Sequence, residues 1–184
     1  MKHLSKILLV FALFASSAAV AQTMKFGHIN SQEIIALMPE RDSALVALER
    51  HTKDLEEEMQ ALQTEFQSKY NTYEQRQATW TAAVLEAKTK ELQDLDRRMQ
   101  QYQQTASQEL QQLQQALFQP ILKKANDVIQ QIGKEKGLIY IFDTSSGMMP
   151  YIDQAQSVDV LPLAKAAMNI PADKKPMQMS QPAN

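Results

Sequence analysis

The 184-residue chain carries 19 Lys and Arg against 21 Asp and Glu, so it lacks the basic surface that a general nucleic-acid binder needs. It contains no cysteine, which excludes disulfides, thiol catalysis and thiolate metal sites. Four glycines and 7% aromatic residues are few for a globular domain of this length and point to an elongated helical shape.

The chain opens with "MKHLSKILLVFALFASSAAVA", in which Lys2 and Lys6 precede an apolar run from Ile7 to Ala15 and small residues at Ala19 and Ala21 close the stretch. This reads as a Sec signal peptide over residues 1–21, cleaved before Gln22; an uncleaved anchor is the rival reading, although the apolar run is short for one. No cysteine follows, so lipoprotein attachment is excluded, and the mature protein is expected in the periplasm. Removing Lys2 and Lys6 leaves 17 basic side chains against 21 acidic ones, a mature net charge of −4.

"MKFGHINSQEIIALMPE", Met24 to Glu40, begins as a strand over residues 24–30 and turns helical at "INSQE". A lone strand leaves its backbone groups unpaired, so a partner must lie elsewhere. From Leu45 through Leu48, Thr52, Leu55, Met59, Leu62, Phe66, Lys69 and Tyr73 the spacing alternates three and four, the seam of a coiled coil. Pro39 suits the first turn of this helix. A second seam follows at Leu85, Lys88, Leu92, Leu95, Met99, Tyr102, Ala106, Leu110, Leu113 and Leu117.

Between the seams, "QRQATWTAA" offers Thr79 or Thr81 as a helix cap and puts a tip near residues 77–82. Two limbs of about 40 residues would each reach roughly 60 Å and fold back on one another as an antiparallel hairpin over residues 40–119. One continuous helix is the rival. Gly137 is a natural stop after Lys134 and Lys136. The run "LIYIFD" over 138–143 then reads as a strand, "MMPYID" over 148–153 as a weaker edge strand because of Pro150, and "SVDVLPLAKAAMN" as a short closing helix. The tail 171–184 has little to bury and is expected to be disordered. The fold class is therefore α+β, mostly α. A small sheet body, from residues 22–39 and 120–170, carries one long coiled-coil arm, and the first strand pairs with Leu138–Phe142 at its base. So small a sheet has open edges and a thin core, so oligomerisation is expected.

The segments "FGHINSQEIIALMPE", "TWTAAVLEAKTKELQDLDRRMQQYQQ" and above all "QPILKKANDVIQQIGKEKGLIYIFDTS" resemble the Skp/OmpH family of periplasmic chaperones, over nearly the whole mature chain to about Ala167. The resemblance implies a homotrimer whose strands form a joint barrel, with Phe26, Ile29, Leu138, Ile139, Ile141 and Phe142 in the oligomer body. It also implies three helical arms enclosing unfolded outer-membrane proteins. The best-known members are strongly basic, whereas this chain is acidic, which argues against lipopolysaccharide or membrane-surface contact.

An ATP-independent holdase needs weak, plural, adaptable contacts. Phe66, Tyr70, Tyr73, Trp80, Val84, Met99 and Tyr102 are the client-binding candidates, with Met59 beside them. Phe66, Tyr73, Met99 and Tyr102 lie on seam positions and equally fill the arm's own interface, whereas Tyr70 and Trp80 lie off it. The glutamines between Gln93 and Gln119 keep leucines in heptad order and read as polar helix surface. His28 and His51 suggest no shared metal site. Asp143, Ser145 and Ser146 in "DTSSG" have no histidine base and read as a turn. No phosphate loop or acid pair is present, so neither enzyme activity nor a cofactor is expected. A coiled-coil envelope scaffold binding one defined partner through its tips is the second reading, and a nucleic-acid or lipid-binding arm the third, disfavoured by charge.

Overall fold

The computed structural model describes residues 24–177. The signal peptide expected over 1–21 and the last part of the tail, 178–184, lie outside the described residues. The elements in chain order are β1 (Lys25–Ile29), α1 (Ser31–Leu37), α2 (Pro39–Arg76), a 3₁₀ turn (Gln77–Thr79), α3 (Ala82–Lys136), β2 (Leu138–Asp143), β3 (Ser157–Asp159) and α4 (Leu161–Ala167).

β1 is the centre of a three-stranded parallel sheet of order β2-β1-β3. Gly27 lies opposite Ile141 on one side and Val158 on the other. The pairing shifts between Lys25 and Phe26, whose partners are Leu138 and Tyr140, so Ile139 is an extra residue that bulges from the ladder. The partner expected for the first strand is thus found, and parallel pairing requires a crossover. Here the crossover is the entire helical hairpin. The third strand differs from expectation: residues 148–153 form no strand, and Ser157–Asp159 takes the second edge of β1. Pro150 lacks the N–H a ladder needs, whereas "SVD" supplies three free backbone units.

Local chemistry explains the helix ends. Asn30 caps α1 by accepting from the Glu33 N–H at 3.1 Å. Asp143, at the end of β2, reinforces that cap, taking the Ser31 N–H at 3.1 Å, the Ser31 hydroxyl at 2.5 Å and the Ser145 N–H at 2.9 Å. Burial pushes the Asp143 carboxyl up, but these hydrogen bonds, led by the Ser31 hydroxyl, outweigh it and leave its pKa lowered. "DTSSG" is a capping turn. Pro39 occupies the first turn of α2, Thr81 caps α3, and Gly137 ends α3 with φ 64°.

The two long helices pair as a hairpin. Moving outward along α2, Glu40, His51, Leu55, Lys69 and Tyr73 meet Lys124, Glu109, Tyr102, Glu91 and Thr89, so the partners run in opposite directions. Every seam position expected on α2 is buried or half-buried, with Leu62 and Leu95 the most deeply covered in the outer arm. On α3 the seam is Leu85, Thr89, Leu92 and onward, and Lys88 is exposed. Lys88 gives way because Thr89 reaches the Tyr73 hydroxyl while the lysine needs water.

The body's core lies between the inner sheet face, α1, α4 and the base of the arm. Ile29, Ile34, Leu37, Met38, Ala44, Ile121, Ala125, Ile132, Val160, Ala164 and Ile170 fill it. Ile170 closes this core, and beyond it, in the part of the 171–184 tail that is described, Lys174 is half-buried against Asp42.

Candidate functional site

Two surfaces carry the candidate residues. On the arm, Phe66 stacks on Tyr70 with ring centroids 6.1 Å apart. Tyr73 meets Trp80 edge-on at 5.8 Å, and its hydroxyl lies 3.2 Å from Thr89 Oγ1. Met99 is half-buried, and Tyr102 donates its hydroxyl to the Leu55 carbonyl at 3.2 Å. Phe66, Tyr73, Met99 and Tyr102 therefore spend part of their surface on the hairpin itself. Tyr70 and Val84 are exposed, whereas Trp80, off the seam in sequence, folds back on Tyr73 and is half-buried.

Charge is organised at the same end. Glu91 on α3 accepts from Lys69 of α2 and, at 2.7 Å, from Lys88 of its own helix. These hydrogen bonds, Lys69 first, hold the Glu91 carboxyl down to about 2. The Lys69 ammonium is stabilised in return, its pKa raised chiefly by Glu91. Tyr73, Trp80, Leu92 and this triad line a shallow pocket beneath the tip. Tyr70 is pushed up by its hydrogen bond to Glu74, and Tyr102 first by burial and then by Glu58 and Glu109.

On the body, strand alternation separates two sets of residues that were grouped together from sequence. Ile29 is in the protomer's own core, with Leu138 and Ile141 packed against it. Phe26, Tyr140 and Phe142 form the opposite face: Phe26 stacks on Tyr140 at 6.5 Å, and Phe142 lies 6.3 Å from Phe26 and 6.2 Å from Tyr140. Tyr140 is 62% exposed and the neighbouring Tyr151 78%. Ile139 projects from the bulge, half exposed. Tyr140 and Tyr151 were not among the residues singled out from sequence, although Tyr140 lies on the same strand face as Phe142. β2 also leaves its outer edge unpaired among the described residues.

Comparison with known proteins fits this architecture. The family model described as outer membrane protein (OmpH-like) matches residues 25–168, from the first strand to the closing helix. The chain belongs to the OmpH-like family. Among curated proteins, this OmpH-like chain is 24% identical over 143 residues to the chaperone protein Skp of Vibrio cholerae serotype O1 (strain ATCC 39315 / El Tor Inaba N16961), covering 78% of this chain and 83% of that one. Among solved structures, it matches the crystal structure of an OmpH-like outer membrane chaperone from Caulobacter crescentus CB15. The TM-score is 0.68 at 16% identity, over 86% of this chain and 90% of that one. That likeness shows the fold: a small sheet body with long helices.

No His, Cys, Asp and Glu side chains gather in threes at metal-binding distance among the described residues. No described helix is long and apolar enough to cross a membrane. The arm presents apolar and aromatic area in shallow patches edged by charge, and the body presents it as the Phe26–Tyr140–Phe142 cluster.

Proposed function

We propose that this OmpH-like protein is an ATP-independent periplasmic holdase, a homotrimer that binds unfolded outer-membrane proteins and prevents their aggregation. The observation that carries the reading is the dispersal of its exposed apolar groups along the arm. The Phe66–Tyr70 stack, Val84 and the outer part of Met99 are shallow and spaced along the arm, which suits many weak contacts with an unfolded chain. Family membership and the chaperone Skp of Vibrio cholerae among the relatives support it. The outward aromatics Phe26, Tyr140 and Phe142 beside the open edge of β2 support self-association through the body. Nucleotide has no role in this reading; folding or downhill transfer of the client drives release.

The compact Tyr73–Trp80 pair over the tip pocket favours a second reading, a scaffold that grips one defined partner through its tip. Affinities of Tyr70→Ala and Trp80→Ala for two unrelated unfolded β-barrel proteins separate the two. A holdase spreads its affinity and loses little with either change. A scaffold concentrates it in a hot spot worth about 2 kcal/mol or more, for one folded partner.

A further inference from the structure

We infer that the segment Ile170–Met177 is a clasp that sets the angle of the arm on the body, with Lys174 and Asp42 as its positioning residues. The segment lies past residue 168, where the family match ends. It is anchored at both ends. Asn169, with φ 55°, reverses the chain after α4, and Ile170 follows it into the core, 6% exposed. The Ile170 N–H bonds the Lys165 carbonyl at 2.8 Å, and the Lys165 ammonium reaches forward to the Ala172 carbonyl at 3.0 Å. Lys174 then places its ammonium 2.7 Å from Asp42 Oδ2 in the first turn of α2, and Arg41 of that turn donates to the Met177 carbonyl at 3.4 Å.

The ion pair differs from an ordinary surface pair. The Lys174 and Asp42 side chains are only 23% and 21% exposed, and Asp42 Oδ1 is buried with no hydrogen-bond partner among the described residues. Removing the lysine would leave a half-buried carboxylate with neither counter-charge nor full hydration.

The place of attachment gives the clasp its effect. The arm joins the body through two limbs, and the helical backbone is interrupted or weakened in both at this level. α2 is preceded by Met38, a single extended residue (φ −69°, ψ 131°) with no side-chain cap hydrogen bond, whose side chain is anchored in the core. α3 runs through Pro120, which offers no N–H to the preceding turn and weakens the helix there. Pro120 shares an apolar groove with Ser43 and Ala44, so it stands across from the start of α2. Glu40 and Lys124 pair across the limbs at the groove, beside the buried contact of Ala44 with Ile121 and Ala125. An arm of 38 residues is about 57 Å long, so a rotation of about 10° here moves the tip by about 10 Å. A contact worth little in folding energy can therefore decide how far the tip ranges. This inference stands whether or not the arm captures unfolded chains.

The test uses the mature protein with cysteines at Ala78 in the tip and Gln32 in the body, both spin-labelled and diluted into unlabelled protein. The natural chain has no cysteine to interfere. Lys174→Glu should broaden the tip–body distance distribution beyond that of the wild type, and salt at about 0.5 M should broaden the wild type in the same direction. Combining Asp42→Lys with Lys174→Glu should restore the narrow distribution. If Lys174→Glu destabilises the body, Lys174→Met, which removes the charge without repulsion, gives the same reading. An unchanged distribution in the folded lysine variant, or failure of the charge swap to restore it, overturns the inference.

Discussion

Tyr102 on α3 hydrogen-bonds the main-chain carbonyl of Leu55 on α2, 47 residues earlier in the chain, at 3.2 Å. The bond crosses the arm at mid-length and assigns part of this aromatic side chain to holding the hairpin closed. Tyr102→Phe keeps the ring and removes the bond, so it should lower arm stability by about 0.5–1.5 kcal/mol. Thermal melting followed by circular dichroism checks this, with capture of unfolded protein unchanged. Lost capture at unchanged stability would make Tyr102 a contact residue instead.

Acid should loosen the tip. Glu91 has a folded pKa of about 2, lowered from 4.5 first by Lys69 and then by Lys88. A depressed carboxylate stabilises the fold fully above its ordinary pKa, and that contribution is lost as pH falls through the folded value. Arm melting should therefore decline between about pH 5 and about pH 2, and Glu91→Gln should flatten that decline while lowering stability at neutral pH. Matching pH slopes in the two proteins would show that the triad contributes nothing.

The body should respond to its own core positions rather than by clean dissociation. A Cβ on Gly27 would sit 2.8 Å from Leu138 Cδ1, 3.0 Å from Val160 Cγ2 and 3.3 Å from the Val158 carbonyl. Gly27→Ala should cost about 1–3 kcal/mol of body stability, because the Val158 backbone cannot retreat as a side-chain tip can. Ile141→Asp buries a charge over Gly133 and should unfold the protomer's body, whereas Tyr140→Asp on the outer face should weaken self-association and leave the protomer folded. Hydrogen exchange and sedimentation measured together distinguish these outcomes.

The parts legible from sequence were those with many repeats of one signal. Leu45 to Tyr73 gave nine seam positions, and all nine are covered. The pairing of β1 with Leu138–Phe142 followed from a strand that needed a partner. The signal failed where it was short or distant. Near the tip, three-four and four-three spacing are equally regular, so the pattern points to Lys88 where the structure covers Thr89. β3 has three residues, too few for alternation to show, and the apolar "MMPYID" stood out in its place. The Lys174–Asp42 pair spans 132 residues and leaves no local trace. At the candidate site, Tyr70 and Val84 are exposed as a seam argument requires, but Trp80 turns back on Tyr73 through an edge contact that no spacing rule contains.

Aggregation of a urea-unfolded β-barrel protein, diluted without nucleotide into a solution of the mature chain, tests the central claim most directly when light scattering and complex mass are read together. The account predicts suppressed scattering at near-stoichiometric oligomer, and a soluble complex whose mass equals one client plus three copies of this chain. Undiminished aggregation, with the chain a monomer at micromolar concentration, would contradict it.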